Sequence, residues 1–216
     1  MIPILFEDGE ALVIDKPAGL PVDRPRAGGL SLADRLGDLK LGFQREPSPV
    51  HRLDTDTSGC LLLARNPKAL VRFAKAFEER TVEKRYLGIL AGELVETEGT
   101  IALSLSKISS AEKGWRMIAA KKGKPSVTHW RKLAVAGGRT LVEFRPETGR
   151  THQIRIHALA GLGVPLAGDP VYGDKASGPR TMLHAAELVI PRGGKPPIAA
   201  HAPLPADFIQ LGFGDG

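Results

Sequence analysis

Short apolar runs separated by turn residues dominate the hydrophobic pattern of this chain. The runs 2–6 and 11–14 flank Asp8-Gly9, a dipeptide that is typical of the tight turn between two paired strands. Further runs with strand character are 60–64, 82–91, 100–105, 114–119, 127–135, 140–145 and 182–190. Runs of this length predict a protein that is built mainly from strands.

Helical spacing is clearest after Asn66-Pro67, because proline is tolerated in the first turn of a helix. Apolar residues then recur every three or four positions, at Ala69, Leu70, Phe73, Ala74 and Phe77. This spacing predicts an amphipathic helix whose apolar face lies in the core. A second helix is predicted over 151–162 and a terminal helical turn over 205–211. A short helix is predicted over 32–36, with Ser31 as its N-cap.

Strands outnumber helices in this pattern, and hairpin-length connections join them. We therefore expect an α+β fold, with a mainly antiparallel mixed sheet and flanking helices. No proline- or glycine-rich stretch separates two self-sufficient cores, so one domain spanning 1–216 is expected.

Composition adds little to the fold but narrows the cellular setting. The 42% hydrophobic and 25% charged fractions are typical of a globular protein. No apolar run approaches the ~20 residues that a membrane helix needs, and the N-terminus lacks the basic region of a secretory signal. The single cysteine, Cys60, excludes an internal disulfide framework. We expect a cytoplasmic protein that does not associate with membranes.

Positive charge is concentrated in one part of the chain, residues 107–132. The net charge is +6, and this segment holds eight basic residues against one acidic residue, Glu112. Trp115 and Trp130 lie among them, and nucleobases can stack on aromatic rings while lysines contact phosphates. A solvated loop between strands is the other interpretation of such a charge run. Composition alone leaves both open.

The stretch His51-Arg52-Leu53-Asp54 puts a carboxylate in a turn-rich segment before the apolar run 60–64. Acidic side chains are seldom placed beside a buried strand for packing alone. Residues 54–59 copy the first six positions of a calcium-binding EF-hand loop, yet its twelfth position, which needs glutamate, is Arg65. A cation there repels calcium, so no metal is expected. Asp54 is left as a catalytic group or a turn cap.

Arginines that could keep this aspartate ionised are densest in residues 147–157. An opposite charge within ~4–6 Å lowers a carboxylate pKa by about one to three units. On a helix capped by Thr151, Arg155 would lie on a polar face, and Arg150 would stand beside an N-terminus that favours anions. A surface helix whose arginine pairs with Glu147 explains the spacing equally well.

Tyr86 lies in the middle of the strand predicted over 82–91. A tyrosine in a strand most often packs in the core. Gly88 follows on the same face, and its missing side chain would leave room above the ring for a flat ligand. Alone, this signal is weak.

Eight short motifs follow one another along the chain. They are DKPAGLPV (15–22), HRLD with TSG (51–54 and 57–59), KRY (84–86), GKPSVT (123–128), TGRTHQIRIH (148–157), GDPVYG (168–173), LHA (183–185) and PLP (203–205). Together they resemble the RluA-type family of RNA pseudouridine synthases, and the resemblance covers almost the whole chain. Any single motif could occur by chance, but eight motifs in the family's order would not.

The resemblance implies an isomerase that converts chosen uridines in rRNA, tRNA or both to pseudouridine, with no metal and no cofactor. It implies that Asp54 is the essential catalytic aspartate, that Tyr86 lies against the uracil face, and that Arg155 pairs with Asp54. Arg52 resembles the arginine that replaces the flipped uridine in the stack, and Leu183 is expected to pack the pocket. The uridine must leave the stack because its reacting atoms are inaccessible within it.

The basic segment fits a loop that grips a short RNA stem-loop beside the site. The residues expected to contact RNA are Arg150, Lys113, Arg116, Lys121, Lys122 and Lys124. Many members of the family carry an N-terminal S4-type RNA-binding domain, and none is expected here because the first catalytic strand begins near residue 2. Asp23 stands where the family often has histidine, and Ser126 where alanine is usual. A monomer suffices.

A non-catalytic RNA-binding protein that keeps the fold is the main alternative. Such a protein would be expected to have lost Asp54, Tyr86 or Arg155, and all three are present. A nucleoside hydrolase could use the same aspartate, but a small substrate needs no concentrated basic segment. The sequence does not choose the RNA, the uridine position, or whether Asp54 attacks the sugar carbon, attacks the base or removes a sugar proton.

Overall fold

The computed structural model describes residues 2–110 and 114–214, with the backbone alone for Ser110. Lys113, one of the residues expected to contact RNA, lies outside the described residues. None of the helices in the described parts of the chain has the length and apolar character needed to cross a membrane.

The chain divides into two compact units. The first unit comprises Met1–Lys84 and Ala185–Pro203, and the second comprises Arg85–His184 and Leu204–Gly216. The expectation of a single domain stays a prediction.

Strands dominate the described residues. The strands are β1 (Ile4–Glu7), β2 (Ala11–Lys16), β3 (Ser48–Pro49), β4 (Ser58–Ala64), β5 (Glu83–Leu90), β6 (Glu98–Ser110), β7 (Gly114–Ala119), β8 (Lys124–Ala136), β9 (Arg139–Pro146), β10 (Leu183–Arg192) and β11 (Lys195–His201). The α-helices are α1 (Pro67–Glu78), α2 (Gln153–Ile156) and α3 (Ala206–Gln210), with 3₁₀ segments at Leu32–Leu39 and Lys175–Ser177 and a π-helical turn at His157–Gly161. The predicted α+β class is confirmed.

The first unit contains a sheet in the order β1, β2, β4, β10, with β3 paired to β4 and β11 paired to β10. The predicted hairpin is confirmed, since β1 and β2 are antiparallel and the Asp8 carboxylate accepts hydrogen bonds from the Glu10 and Ala11 N–H groups, both at 2.8 Å. Every residue of β4 is buried. The strand that follows Asp54 is therefore fully enclosed, which makes it a firm support for the turn before it.

The amphipathic helix predicted after Asn66 is confirmed as α1. The Asn66 side-chain oxygen accepts a hydrogen bond from the Ala69 N–H at 2.9 Å, and Pro67 occupies the first turn. Ala69 and Phe73 are buried in one core cluster with residues of β2 and β4. Cap, proline and apolar spacing agree, which is why the sequence located this helix well.

The short helix predicted after Ser31 is a 3₁₀ helix and runs further than expected, to Leu39. The Asp34 carboxylate accepts hydrogen bonds from both the N–H and the hydroxyl of Ser31, at 3.0 and 2.6 Å. The capping residues were thus identified correctly, but the type and the end of the helix were not.

The second unit contains a sheet in the order β5, β9, β8, β6, β7. The first half of β6 pairs with β8 and the second half with β7, all antiparallel. The strands predicted over 114–119 and 127–135 are confirmed as β7 and as part of β8, so the interpretation of residues 107–132 as a loop is wrong. Gly123, in the turn between β7 and β8, allows this arrangement, since a Cβ there would come within 2.5 Å of the Leu105 backbone.

The helix predicted over 151–162 is present in altered form. Only Gln153–Ile156 is α-helical, and a π-helical turn follows. The expectation that Thr151 caps the helix is wrong, because the residue directly before the helix is His152. His152 has a left-handed conformation, with φ of 53°, and its side chain makes no capping hydrogen bond. With only four α-helical residues, this element also provides no N-terminal anion site of the kind expected.

Two strands were not expected from the sequence. β3 has only two residues, and β11 begins with Lys195-Pro196-Pro197, which hides the alternating pattern. Prolines are tolerated at the start of a strand and on sheet edges because no ladder hydrogen bond is needed there.

Candidate active site

Asp54 lies in the tight turn that leads into β4. Its backbone carbonyl accepts a hydrogen bond from the Thr57 N–H at 3.1 Å, and its side chain is half-buried. Gly59 has φ of 106°, and a Cβ there would lie 2.2 Å from the Ala185 carbonyl oxygen. Only glycine fits this contact, so the backbone just after the turn is held tightly against β10 within the first unit.

A buried lysine ties the same turn to the loop after β2. Lys16 is fully buried, and its ammonium donates to the carbonyl oxygens of Pro17 and Leu20, both at 2.8 Å, and of Thr55 at 3.0 Å. Three hydrogen bonds satisfy its three donors and offset the cost of burying the charge. The role of Lys16 in positioning residues next to Asp54 was not foreseen from the sequence.

His51 holds the other end of the motif. Its Nε2 accepts a hydrogen bond from the Leu62 N–H at 3.0 Å, and its ring stacks on Phe77 with centroids 4.6 Å apart. Burial, and then the nearby charge of Lys84, lower the pKa of His51 to about 3. The imidazole is therefore neutral at physiological pH and serves as a fixed anchor between the Asp54 turn and β4.

Arg52 differs from its neighbours because its side chain is largely in solvent. Its guanidinium lies 3.1 Å from the Asp23 carboxylate, and both side chains are exposed. Exposed ion pairs contribute about 0–1 kcal/mol. This contact is too weak to immobilise Arg52.

Tyr86 lies on β5 in the second unit, where it pairs with Phe144 of β9. It is half-buried and packs against the core cluster that contains Leu90 and Leu166. The expectation that Gly88 leaves open space is wrong, because a Cβ there would lie 2.8 Å from the Leu166 side chain and 3.0 Å from the Phe144 ring. The glycine admits close packing instead of a ligand.

Arg155 is buried and forms two parallel hydrogen bonds with Asp169. Its Nε lies 2.7 Å from Oδ2, and its Nη2 lies 2.7 Å from Oδ1. The carboxylate also accepts from the N–H groups of Val171 at 2.9 Å and Tyr172 at 3.1 Å. Bidentate geometry of this kind fixes the orientation of a guanidinium.

The charge of Asp169 is maintained against desolvation. Burial by itself raises the pKa of Asp169, but the hydrogen bonds and charge of Arg155, together with the two backbone N–H groups, outweigh it, and the pKa lies below the ordinary 3.8. Asp169 was not among the predicted site residues. A signal was available, because it is the sole charged residue between positions 158 and 173, and a lone charge in an uncharged stretch suggests a buried partner.

Gln153 fixes the loop before α2. Its Oε1 accepts from the Thr148 hydroxyl at 2.7 Å and the Arg150 N–H at 3.0 Å. Its Nε2 donates to the Val127 carbonyl oxygen at 3.0 Å and the Thr128 hydroxyl oxygen at 2.9 Å. The buried amide therefore has all its hydrogen-bonding capacity used, and it joins the loop to β8.

Leu183, expected to pack the pocket, begins β10 and is buried in the core cluster with Val142 and Phe144. Its contact with a substrate stays a prediction.

Comparison with known proteins gives these contacts a context. A model of the RNA pseudouridylate synthase family matches residues 10–160. The chain belongs to the RNA pseudouridine synthase family. It is 57% identical over 212 residues to an uncharacterized RNA pseudouridine synthase of Zymomonas mobilis, with 97% of each chain covered. The isomerase class expected from the motifs is confirmed.

Two further relatives extend the comparison. Ribosomal large subunit pseudouridine synthase D of Nitrosomonas europaea is 38% identical over 226 residues, which cover 97% of this chain and 64% of the relative. The solved structure of human RNA pseudouridylate synthase domain containing 4 has a TM-score of 0.80 at 25% identity and covers 97% of this chain and 91% of that chain. The pseudouridine synthase fold is thus shown by sequence and structure together.

The residues of the expected pseudouridine synthase site are divided between the units. Arg52 and Asp54 belong to the first unit, whereas Tyr86, Arg155 and Leu183 belong to the second. The pairing of Arg155 with Asp54 stays a prediction. What the structure adds is a fixed partner for Arg155 within its own unit.

The basic residues expected to contact RNA all belong to the second unit. Lys121 and Lys122 are exposed in the turn between β7 and β8, and Lys124 is exposed at the start of β8. Arg116 on β7 is half-buried, as is Arg150, whose Nε lies 3.4 Å from the Pro125 carbonyl oxygen.

Trp130 does not belong to the exposed aromatic surface that the sequence suggested. It is 8% exposed and packs in the core of the second unit. Its position on β8 alternates with exposed neighbours, His129 and Arg131. Charge density along the segment concealed this alternation.

Proposed function

We propose that this pseudouridine synthase isomerises specific uridines in structured RNA, either rRNA, tRNA or both, with Asp54 as the catalytic residue. The observation that carries the proposal is the way the Asp54 turn is held. Buried Lys16, neutral His51 and the close contact at Gly59 all fix the backbone around a half-buried carboxylate. Several relatives named as ribosomal large subunit synthases support rRNA as a substrate.

The reaction requires no net oxidation. The bond between uracil N1 and the sugar C1′ breaks, the base turns, and a bond forms between C5 and C1′. The hydrogen on C5 leaves as a proton, and N1 gains one. An ionised Asp54 could attack the sugar carbon, attack the base or remove a sugar proton to start this sequence. In each case a positioned carboxylate lowers the barrier.

The target base has to be extruded before this chemistry. We propose that Arg52 fills the space that the uridine leaves, which suits a side chain that is exposed and weakly paired. Tyr86 would lie against the uracil, Leu183 would pack the pocket, and Arg155 would stabilise the charge of Asp54. The bidentate contact with Asp169 would keep the Arg155 guanidinium oriented for that task.

We propose that Arg116, Lys121, Lys122, Lys124 and Arg150, together with Lys113, contact the RNA backbone. Basic residues on a surface supply sequence-independent affinity that depends on salt. The protein would act as a cytoplasmic monomer.

Release of tritium from RNA labelled at C5 of its uridines tests the catalytic proposal. We expect release by the wild-type protein and none by Asp54→Asn. Asp56→Asn is the matched control, because Asp56 is a half-buried aspartate of the same turn and is expected to retain activity. Equal release by the wild type and Asp54→Asn would refute the assignment. RNA binding without release by the wild type would favour a non-catalytic RNA-binding protein.

A further inference from the structure

Trp115 is an exposed aromatic side chain on the surface of the second unit. It lies at the start of β7 and is 48% exposed, whereas Trp130 on β8 is 8% exposed. Burial of a ring this large would be favourable, so its exposure calls for an explanation. Lys107 lies on the neighbouring strand β6 with its ammonium close to the ring, which makes the surroundings of Trp115 cationic.

The Trp115 ring rests on a supported surface. The imidazole of His152 stacks against it, with centroids 5.1 Å apart and an interplanar angle of 27°. His152 Nδ1 lies 2.9 Å from the Tyr172 hydroxyl oxygen, which in turn accepts a hydrogen bond from the Met117 N–H at 3.0 Å. Tyr172 and Met117 are buried. A buried hydrogen-bonded chain therefore holds the imidazole under the exposed indole.

The ammonium of Lys107 lies over the Trp115 ring, 4.8 Å from its centroid. An exposed contact between a cation and an aromatic ring is weaker than the stacking of a base on such a ring. A base that reached Trp115 could thus displace the flexible lysine. The displaced ammonium would remain within reach of the phosphate attached to that base.

We propose that Trp115 is a stacking site for a base of single-stranded RNA other than the target uridine, with Lys107 contacting the adjoining phosphate. The inference rests on the proposed function only in taking RNA as the substrate. It assigns a nucleotide-binding site on β6 and β7 of the second unit, supported by His152, and it excludes Trp130 from that role.

The surrounding charge favours RNA over an apolar partner. Lys107, Arg116, Lys121 and Lys122 are the charged residues among the described positions from 107 to the β7–β8 turn. An aromatic ring among cations suits a ligand that carries both flat rings and negative charges. A base in a duplex hides its faces by stacking, so the ligand is a loop or a single strand.

Fluorescence separates the two tryptophans of the chain. The probes are a uridine oligonucleotide and an abasic strand of equal length, and the proteins are the wild type and Trp115→Phe. The difference in tryptophan emission between the two proteins reports Trp115, and substitution at this exposed position leaves the core unaltered. We expect the uridine strand to quench this difference signal and to shield it from iodide, and the abasic strand to do neither. Emission of Trp115→Phe, which comes from Trp130, is expected to stay unchanged.

Affinity supplies a second measurement. Trp115→Ala is expected to weaken binding of the uridine strand by about tenfold with an unchanged salt slope, because stacking releases no counterions. The matched control is Lys121→Ala with Lys122→Ala, which should reduce the slope by about 0.7 per lost phosphate contact. Trp115 is half-exposed and loses only its surface contacts with His152 and Lys107, so the variant is expected to remain folded, and urea titration checks this.

Three results would overturn the inference. These are equal responses to the uridine and abasic strands, bound RNA without a change in the Trp115 signal, and equal loss of affinity for both strands in Trp115→Ala. Tritium release by wild-type protein together with any of them would refute the stacking site and leave the proposed function intact. Absence of both release and binding would refute both.

Discussion

Two arginines of the expected site are held in opposite ways. Arg155 and Asp169 have side chains that are 8% and 0% exposed and form two hydrogen bonds of 2.7 Å. Arg52 and Asp23 have side chains that are 71% and 68% exposed and meet at 3.1 Å. The same pair of residue types thus gives a buried, bidentate contact in one unit and an exposed contact in the other.

The difference lies in desolvation. A buried charge that loses its partner is left without water to compensate it, whereas an exposed charge is solvated in either state. The family resemblance already implied different roles, with Arg155 pairing with Asp54 and Arg52 replacing the flipped uridine in the stack. The structure adds that Arg155 is buried in a bidentate contact, whereas Arg52 is exposed with one ion-pair contact, which is consistent with the roles proposed for them.

The largest effect is expected from Asp169→Asn. This change removes the buried carboxylate that forms both 2.7 Å hydrogen bonds with Arg155, so we expect a loss of about 3–5 kcal/mol in the free energy of unfolding. Urea unfolding measures it, and tritium release should fall as well because the guanidinium loses its orientation. A loss below about 1 kcal/mol, as for a surface pair, would show that burial does not distinguish the two arginines.

Titration of the wild type and Asp169→Asn with acid sharpens the same contrast. The pKa of Asp169 in the folded protein lies below 3.8, so its contribution is present above that pH and is lost as the pH falls through the lowered value. The difference in unfolding free energy between the two proteins should therefore narrow below about pH 4. The measurement is urea unfolding at a series of pH values.

The unfolding free energies of both the wild type and Asp169→Asn are expected to decline together before the difference between them narrows. Burial lowers the pKa of His157 from 6.5 to about 4, so the imidazole stays neutral in the folded protein while it takes up a proton in the unfolded chain. His51, with a pKa of about 3, is kept neutral in the same way, so both proteins should lose on the order of 3 kcal/mol per imidazole between pH 6.5 and 4. Asp23→Asn is the control for this measurement. If the difference in unfolding free energy between the wild type and Asp23→Asn also narrowed below about pH 4, the narrowing could not be assigned to the buried pair of Arg155 and Asp169.

The smallest effect is expected from Asp23→Asn. The exposed contact with Arg52 should change the free energy of unfolding by less than about 1 kcal/mol, and less still at high salt, because solvent and ions screen it. Urea unfolding at low and high ionic strength measures this. A loss of unfolding free energy comparable to that of Asp169→Asn would mean that the contact with Asp23 holds Arg52 firmly. This would count against the proposal that Arg52 moves to fill the space that the uridine leaves.

Local signals explain which elements were predictable. α1 was located because Asn66, Pro67 and the apolar spacing act over one turn to a few turns of chain. Strands were also predicted over 114–119 and 127–135, but the concentrated charge of 107–132 favoured an RNA-contacting loop with both tryptophans on its surface. The period of two in β8 instead places Trp130 inside and its neighbours outside. Charge density reports what a surface attracts and says little about the backbone beneath it.

The candidate site shows the same division. Asp54 and Arg155 were found because their residue types and motifs belong to a known family. Asp169 and Lys16 were missed because their roles depend on partners that are distant in sequence or on backbone carbonyl oxygens. Such contacts leave no local pattern, since a buried charge is stabilised by whatever the fold brings beside it.

The sequence by itself determined the family, the α+β class and the residues that carry the proposed chemistry, because motifs and hydrophobic periodicity are properties of neighbouring positions. Only the tertiary structure decided which arginine and which tryptophan are buried and which are exposed. Those properties follow from burial, and burial depends on the packing of segments that are far apart in the chain.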